Sequence, residues 1–168
     1  MRTKAIILIF FALTSQVFAQ VNKVEIRGWT NVNTFKCVNN DFKTATSLYL
    51  FTENRLPNIN LKVEDFDCRN KMMTSDLRKT LHAEKYPALS IKFLDFKRSS
   101  STRFLAVVEV KMMNISKKYT IEFLENNKSL MGNKRLRFSD FNIIPPKKMG
   151  GIISVKDELD LFFSLMID

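Results

Sequence analysis

Three groups of side chains in this chain could carry chemistry: the lone histidine His82, the acid pairs Glu64/Asp65 and Glu158/Asp160, and the cysteines Cys37 and Cys68. General acid–base work needs a titratable group held against a substrate. His82 falls near the end of an expected helix, beside Ala83 and Glu84, a position that reads as exposed. A Ser-His-Asp device would need His82 to meet a positioned serine, and the chain has no GxSxG word. A histidine-based metal site would have to be completed by several carboxylates. The acid pairs sit at strand ends, where solvent ordinarily holds them. No glycine-rich phosphate loop is present. These residues argue against an enzyme, with no catalytic residue, no metal ligand set and no cofactor.

The cysteines depend on compartment. Arg2 and Lys4 precede an apolar run from Ala5 to Leu13, and Val17-Phe18-Ala19 offers small residues where a signal peptidase reads. The run is about half the ~20 residues a bilayer requires. Residues 1–19 are therefore expected to be a cleaved signal peptide and 20–168 one domain, located in the periplasm, or secreted outside the cell. No cysteine follows the apolar run, so lipid attachment is not expected. In an oxidising compartment the even count points to a Cys37–Cys68 disulfide. Closing a loop of about 30 residues contributes roughly 3–4 kcal/mol in the chain-entropy model. Zinc is a poor alternative, because a second pair of ligands is missing.

The formal net charge is +10, of which Arg2 and Lys4 in the leader supply two. The remaining cations are scattered, with short clusters at 117–118, 134–137 and 147–148. Nucleic-acid binding would concentrate them on one element. A solvated basic surface is the plain reading, and transient contact with an anionic membrane surface is the partner such a balance suits.

The elements that must position all this read as strands. Period-two alternation runs through Val24/Ile26, Phe35/Cys37, Ile59/Leu61/Val63, Leu89/Ile91/Phe93, Phe104/Ala106/Val108/Val110, Tyr119/Ile121/Phe123, Leu136/Phe138 and Leu159/Leu161/Phe163/Leu165/Ile167. One helix interrupts them: Thr74 or Ser75 can cap it, Met73, Leu77 and Leu81 form its apolar stripe, and Pro87 forbids continuation. The expected fold is all-β, a closed antiparallel barrel of about eight strands with one short helix near an opening. The regular terminal strand then pairs within the sheet, and "PPKKMGG" crosses a rim. The alternate face carries Glu25, Arg27, Lys62, Glu109, Lys111, Lys118, Glu122, Arg135 and Arg137, which want water, so the apolar set faces inward and an outer-membrane barrel is excluded. A barrel of this size is either filled by its side chains or holds one small ligand. Pattern alone leaves both open.

Four words, "IRGWTNVNTFKC", "DFDCRNKMMTSDLRKTLHAEKYP", "KKYTIEF" and "LRFSDFNIIPPKKMGGIISVKDELDLFFSL", resemble those of the YceI family, in a divergent, cysteine-bearing branch. The resemblance runs from about Val24 to Leu165. It implies a lipocalin-like barrel exported to the periplasm. It also implies a tunnel that sequesters or carries a long apolar isoprenoid-type lipid, a polyisoprenoid or an isoprenoid quinone. On that footing Phe93, Phe104, Ala106, Val108, Tyr119, Ile121, Phe123, Phe138, Leu161 and Phe163 would line the interior. The chain departs from the family at "GWTNVNTF", which lacks the histidine of the better-known members, so no head-group contact carries over. The alternative is a non-enzymatic interaction module with a packed core and a basic partner-binding surface.

Overall fold

Alternating β-branched and aromatic residues favour extended chain with one face buried, and such segments organise the computed structural model, which describes residues 22–40, 42, 51 and 55–167. The expected leader over residues 1–19 lies outside the described residues. Among them the strands are β1 (Lys23–Thr30), β2 (Thr34–Asn39), β3 (Asn58–Lys62), β4 (Ala88–Arg98), β5 (Arg103–Met112), β6 (Ile115–Asn126), β7 (Ser129–Arg137), β8 (Lys147–Lys148) and β9 (Ile153–Met166). Helix α1 (Lys71–Thr80) lies between β3 and β4.

All pairings are antiparallel, in the order β2-β1-β9-β7-β6-β5-β4-β3, with β8 also on β9. The expected terminal strand thus sits in the middle of the sheet. Register sets the inner face: Val24 lies opposite Phe163 and Ile26 opposite Leu161, while Val108 lies between Phe93 and Tyr119. The sheet curls around this face into a half-barrel.

The expected closure does not form. Among the described residues the ladder ends at β2 on one side and β3 on the other. The reason is local. β3 is five residues long, and at Val63–Asp65 the chain turns into a 3-10 helix, leaving extended geometry before a second ladder can start. A staple crosses the seam instead. Val38 and Asp67 exchange two backbone hydrogen bonds of 2.9 Å. The Asn39 side chain donates to the Lys62 carbonyl at 3.0 Å. The expected Cys37–Cys68 disulfide joins the same two segments.

A second departure lies between β6 and β7. Their ladder spans four pairs, from Phe123↔Gly132 to Asn126↔Ser129, whereas β5–β6 spans ten and β7–β9 nine. Toward α1 the two strands splay. A 3-10 turn at Phe138–Phe141 enters there, burying Phe138 and Phe141. The expected strand residue Phe138 is therefore a turn residue, although it remains in the core.

Helix α1 begins earlier than its threonine and serine suggest. Asn70, with extended backbone, accepts a hydrogen bond from the Met73 amide at 3.0 Å and caps the helix in place of Thr74 or Ser75. Thr74 instead accepts from the Cys68 amide at 3.0 Å, tying the first turn to the disulfide. The helix also stops short of Pro87, because His82 adopts a left-handed φ of 48° directly after the terminal Leu81. Leu77 and Leu81 are buried and Met73 packs on the core, as the stripe requires.

One outer-face residue departs from expectation. Glu25 is 2% exposed rather than bathed in water. Its neighbours on β1 and β2 fold over it: Lys23 at 3.7 Å, Lys36 at 4.0 Å, and Arg27, which donates to its carboxylate. Arg27 in turn rests 4.2 Å from the centroid of the Phe162 ring.

Candidate functional site

The ten residues expected to line an interior meet on one face. Phe93, Phe104, Ala106, Val108, Ile121, Phe123, Phe138, Leu161 and Phe163 are buried, and Tyr119 is half-buried. At the end of the sheet away from α1 the rings pack on one another. Phe104 stacks on Phe96 at 4.8 Å, Phe96 meets Phe51 at 4.3 Å, and Phe51 meets Phe93 at 5.1 Å. Phe123 follows at 5.6 Å from Phe93 and Phe163 at 5.6 Å from Phe123. These separations are those of well-made aromatic pairs. Gly132, directly opposite Phe123, makes room: a Cβ there would lie 2.7 Å from the Phe123 ring.

The α1 end is built differently. Gly28 stands opposite Phe35 in the β1–β2 hairpin, and the ring lies over it, 2.3 Å from where a Cβ would be. Phe35 thereby forms one wall of an apolar groove of about 360 Å³. Met73 and Leu77 of α1, Phe138 of the 3-10 turn, and Ile153 and Val155 of β9 are among the others. At its rim Lys148 and Asp76 form an ion pair of 2.6 Å linking the β8 segment to α1. This volume falls at the lower end of the ~300–1,000 Å³ typical of small-ligand pockets. Apolar walls with a charged rim suit a hydrocarbon chain, which gains burial and needs few directed hydrogen bonds.

A larger concavity of about 820 Å³ lies beside it, lined by Trp29, Arg135, Arg137, Asp140, Lys156 and Glu158. Its cations are matched by acids. Arg135 donates twice to Asp160, at 2.7 and 3.1 Å, and covers the Trp29 ring at 4.9 Å. The Tyr119 hydroxyl donates to Asp140 at 3.2 Å. Burial first, then the Asp140 charge and this hydrogen bond, hold the phenol well above its usual range. Greater size does not make this trough the better candidate, since charges of both signs line it and two of them, Arg135 and Asp140, are already engaged.

The residues that could have done chemistry stay apart. His82 is exposed at the helix end, in a shallow concavity with Glu64, Ser75 and Glu84. Among the described residues no hydrogen bond joins its ring to that serine or those glutamates, and no group of three or more His, Cys, Asp or Glu could hold a metal. Asp160 is occupied by Arg135. No helix among the described residues is long and apolar enough to cross a membrane.

Phe35 and Val155 were not singled out as site residues. The readable signal for Phe35 is the glycine facing an aromatic across the hairpin word "GWTNVNTF". Met73 and Leu77 were read as the helix stripe, but what they face depends on where α1 docks.

An antiparallel half-barrel with a helix over an apolar groove at one end defines the class. Comparison with solved structures gives it a more particular form. The BcnA protein of Burkholderia cenocepacia superposes with a TM-score of 0.68 at 16% identity, over 88% of this chain and 96% of that one. A YCEI protein of Campylobacter jejuni gives 0.54 at 12% identity, over 66% and 70%. A polyisoprenoid binding domain from Saccharophagus degradans, implicated in plant cell wall breakdown, gives 0.58 at 6% identity, over 86% and 91%. No protein-family model and no curated protein sequence matches the chain. The chain has the YceI-like fold that its sequence words imply.

Proposed function

We propose that the protein is an exported, non-catalytic carrier or sequestering protein for a long apolar isoprenoid-type lipid, acting in the periplasm. The observation that carries this reading is the groove under α1, walled by Phe35, Leu77, Phe138 and Val155. The binding named for the Saccharophagus degradans neighbour supports the same chemistry. At about 0.8 kcal/mol per buried CH₂, each five-carbon unit contributes roughly 4 kcal/mol before ordering costs. Two buried units then contribute roughly 8 kcal/mol before those costs, and longer buried chains proportionally more. A polyisoprenoid and an isoprenoid quinone both offer such units.

Native mass spectrometry of protein purified from its own compartment should show a hydrocarbon adduct that denaturation releases. Val155→Trp, which fills the groove from a half-exposed strand position, should keep the far-ultraviolet dichroism and lose the adduct. Protein that carries no adduct, or a Val155→Trp variant that keeps it, would sink the proposal.

A second reading, an interaction module with a packed core and a basic surface, is favoured by the ring-on-ring packing from Phe104 to Phe163. It requires adduct-free protein and salt-sensitive binding to an anionic partner.

A further inference from the structure

Among the described residues, most of the exposed large apolar side chains belong to two places, and the two differ. Leu105, Leu124 and Met131 lie on the outer face of β5, β6 and β7, each 40–44% exposed. Charges of both signs interleave them, including the Arg103–Glu122 pair at 2.7 Å. The second place is the mouth of the groove. Met72 is 73% exposed, Met149 69%, Ile152 69% and Val32 64%. Met72 and Met149 both line the groove. The turn that carries Val32 is tied to the Ile152 segment, because the Asn31 side chain donates to the Ile152 carbonyl at 2.8 Å and accepts from the Ser154 amide at 3.1 Å.

The local backbone projects Met149 and Ile152. Met149, Gly150 and Gly151 are consecutive left-handed residues, at φ 51°, 65° and 98°. Around the two glycines a Cβ would meet open space within 4 Å. A tip of this shape stands clear of the sheet. Cations outnumber acids around it. The segments 30–33, 69–73 and 144–153 contain Arg69, Lys71, Lys147 and Lys148 and not one carboxylate. Asp76, one helical turn further on, is closed on Lys148.

From these observations we infer that the α1 end of the molecule is a docking face for an anionic lipid bilayer, with Val32, Met72, Met149 and Ile152 entering the headgroup region. The inference deepens the lipid-binding reading and rests on it: a carrier of a water-insoluble chain has to meet the membrane with the mouth of its groove, so that the chain never crosses water. Four projecting apolar side chains supply the burial, and the ring of cations supplies attraction to anionic headgroups, each near-surface lysine being worth about fivefold in partitioning.

Flotation with phosphatidylcholine vesicles, and with vesicles containing three parts in ten phosphatidylglycerol, tests this. Wild-type protein should prefer the anionic vesicles by about tenfold or more, and the preference should shrink as salt is raised. The double substitution Met149→Asp/Ile152→Asp should lower binding by at least about tenfold. Leu105→Asp/Met131→Asp on the outer face should change it little. Equal binding by the wild type and the tip variant, or loss on the outer-face variant alone, overturns the docking face. Native mass spectrometry of the same samples separates the two readings. An adduct without vesicle binding removes the docking face and leaves the carrier. Tip-dependent vesicle binding without an adduct supports the face and removes the carrier.

Discussion

Removing the disulfide tests how the open seam is held. Cys37 and Cys68 are 31 residues apart and both are buried. In the chain-entropy model a loop of this length confines the unfolded chain by about 12 cal/mol/K, or about 3.7 kcal/mol at 25 °C. For a domain of this size each kcal/mol moves the midpoint by roughly 2–4 °C. The double variant Cys37→Ala/Cys68→Ala should therefore melt about 7–15 °C below the wild type, by calorimetry. Its urea m-value should rise, because the unlinked chain exposes more surface when unfolded. Hydrogen exchange supplies the structural half of the test. The Val38 and Asp67 amides, which cross the seam, should lose protection ahead of the β5–β6 amides. A midpoint within about 3 °C of the wild type, with those two amides still protected, would refute the idea that the bridge secures the seam.

Other outcomes follow from the same coordinates. Gly132→Ala should cost about 1–3 kcal/mol in urea unfolding, because its Cβ would press on the fully buried Phe123 ring and, at 3.1 Å, on the Glu122 carbonyl. Gly28→Ala should cost less despite the closer initial approach, since the half-buried Phe35 ring can swing into the groove, and adduct formation should fall in compensation. Tyr119 holds its proton more tightly when folded, so its contribution to stability is fully present below its unfolded value of 10.0 and declines as pH rises beyond that. Comparing wild type with Tyr119→Phe in urea at pH 8 and pH 10.5 should show a steeper alkaline loss in the wild type; parallel losses would remove this role.

Much of the fold was legible because alternation and burial are tied residue by residue. Leu159, Leu161, Phe163 and Leu165 alternate in sequence and all four are buried in the structure. The cysteine pair was legible because two cysteines allow a single pairing. The open seam was not. It depends on where β3 ends, and "INLKV" alternates through Val63 although the backbone has already turned there. Nor was the buried Glu25 legible, since its shielding comes from Lys36 on the neighbouring strand and from the lengths of three side chains. The cap was misplaced too: Asn70 accepts from the Met73 amide, and Thr74, one of the two expected caps, serves the Cys68 amide. The candidate lining set came together as a core, yet of its members only Phe138 lines the groove, whose walls include Phe35, Leu77 and Val155 from three elements distant in sequence. Periodicity tells which way a side chain faces, and not what docks opposite it.

The position of β9 has a consequence for how the molecule is made. It lies between β1 and β7 in space but follows both along the chain. A polypeptide emerging N-terminus first therefore yields two unfinished fragments, the β1–β2 hairpin and the β3–β7 meander, each with a raw edge and an oily side. Neither can be completed until β9 arrives as the keystone. Such late, long-range assembly is slow, and until it is complete the two fragments stay exposed to wrong pairings. It also leaves β9 as the strand that two copies could trade.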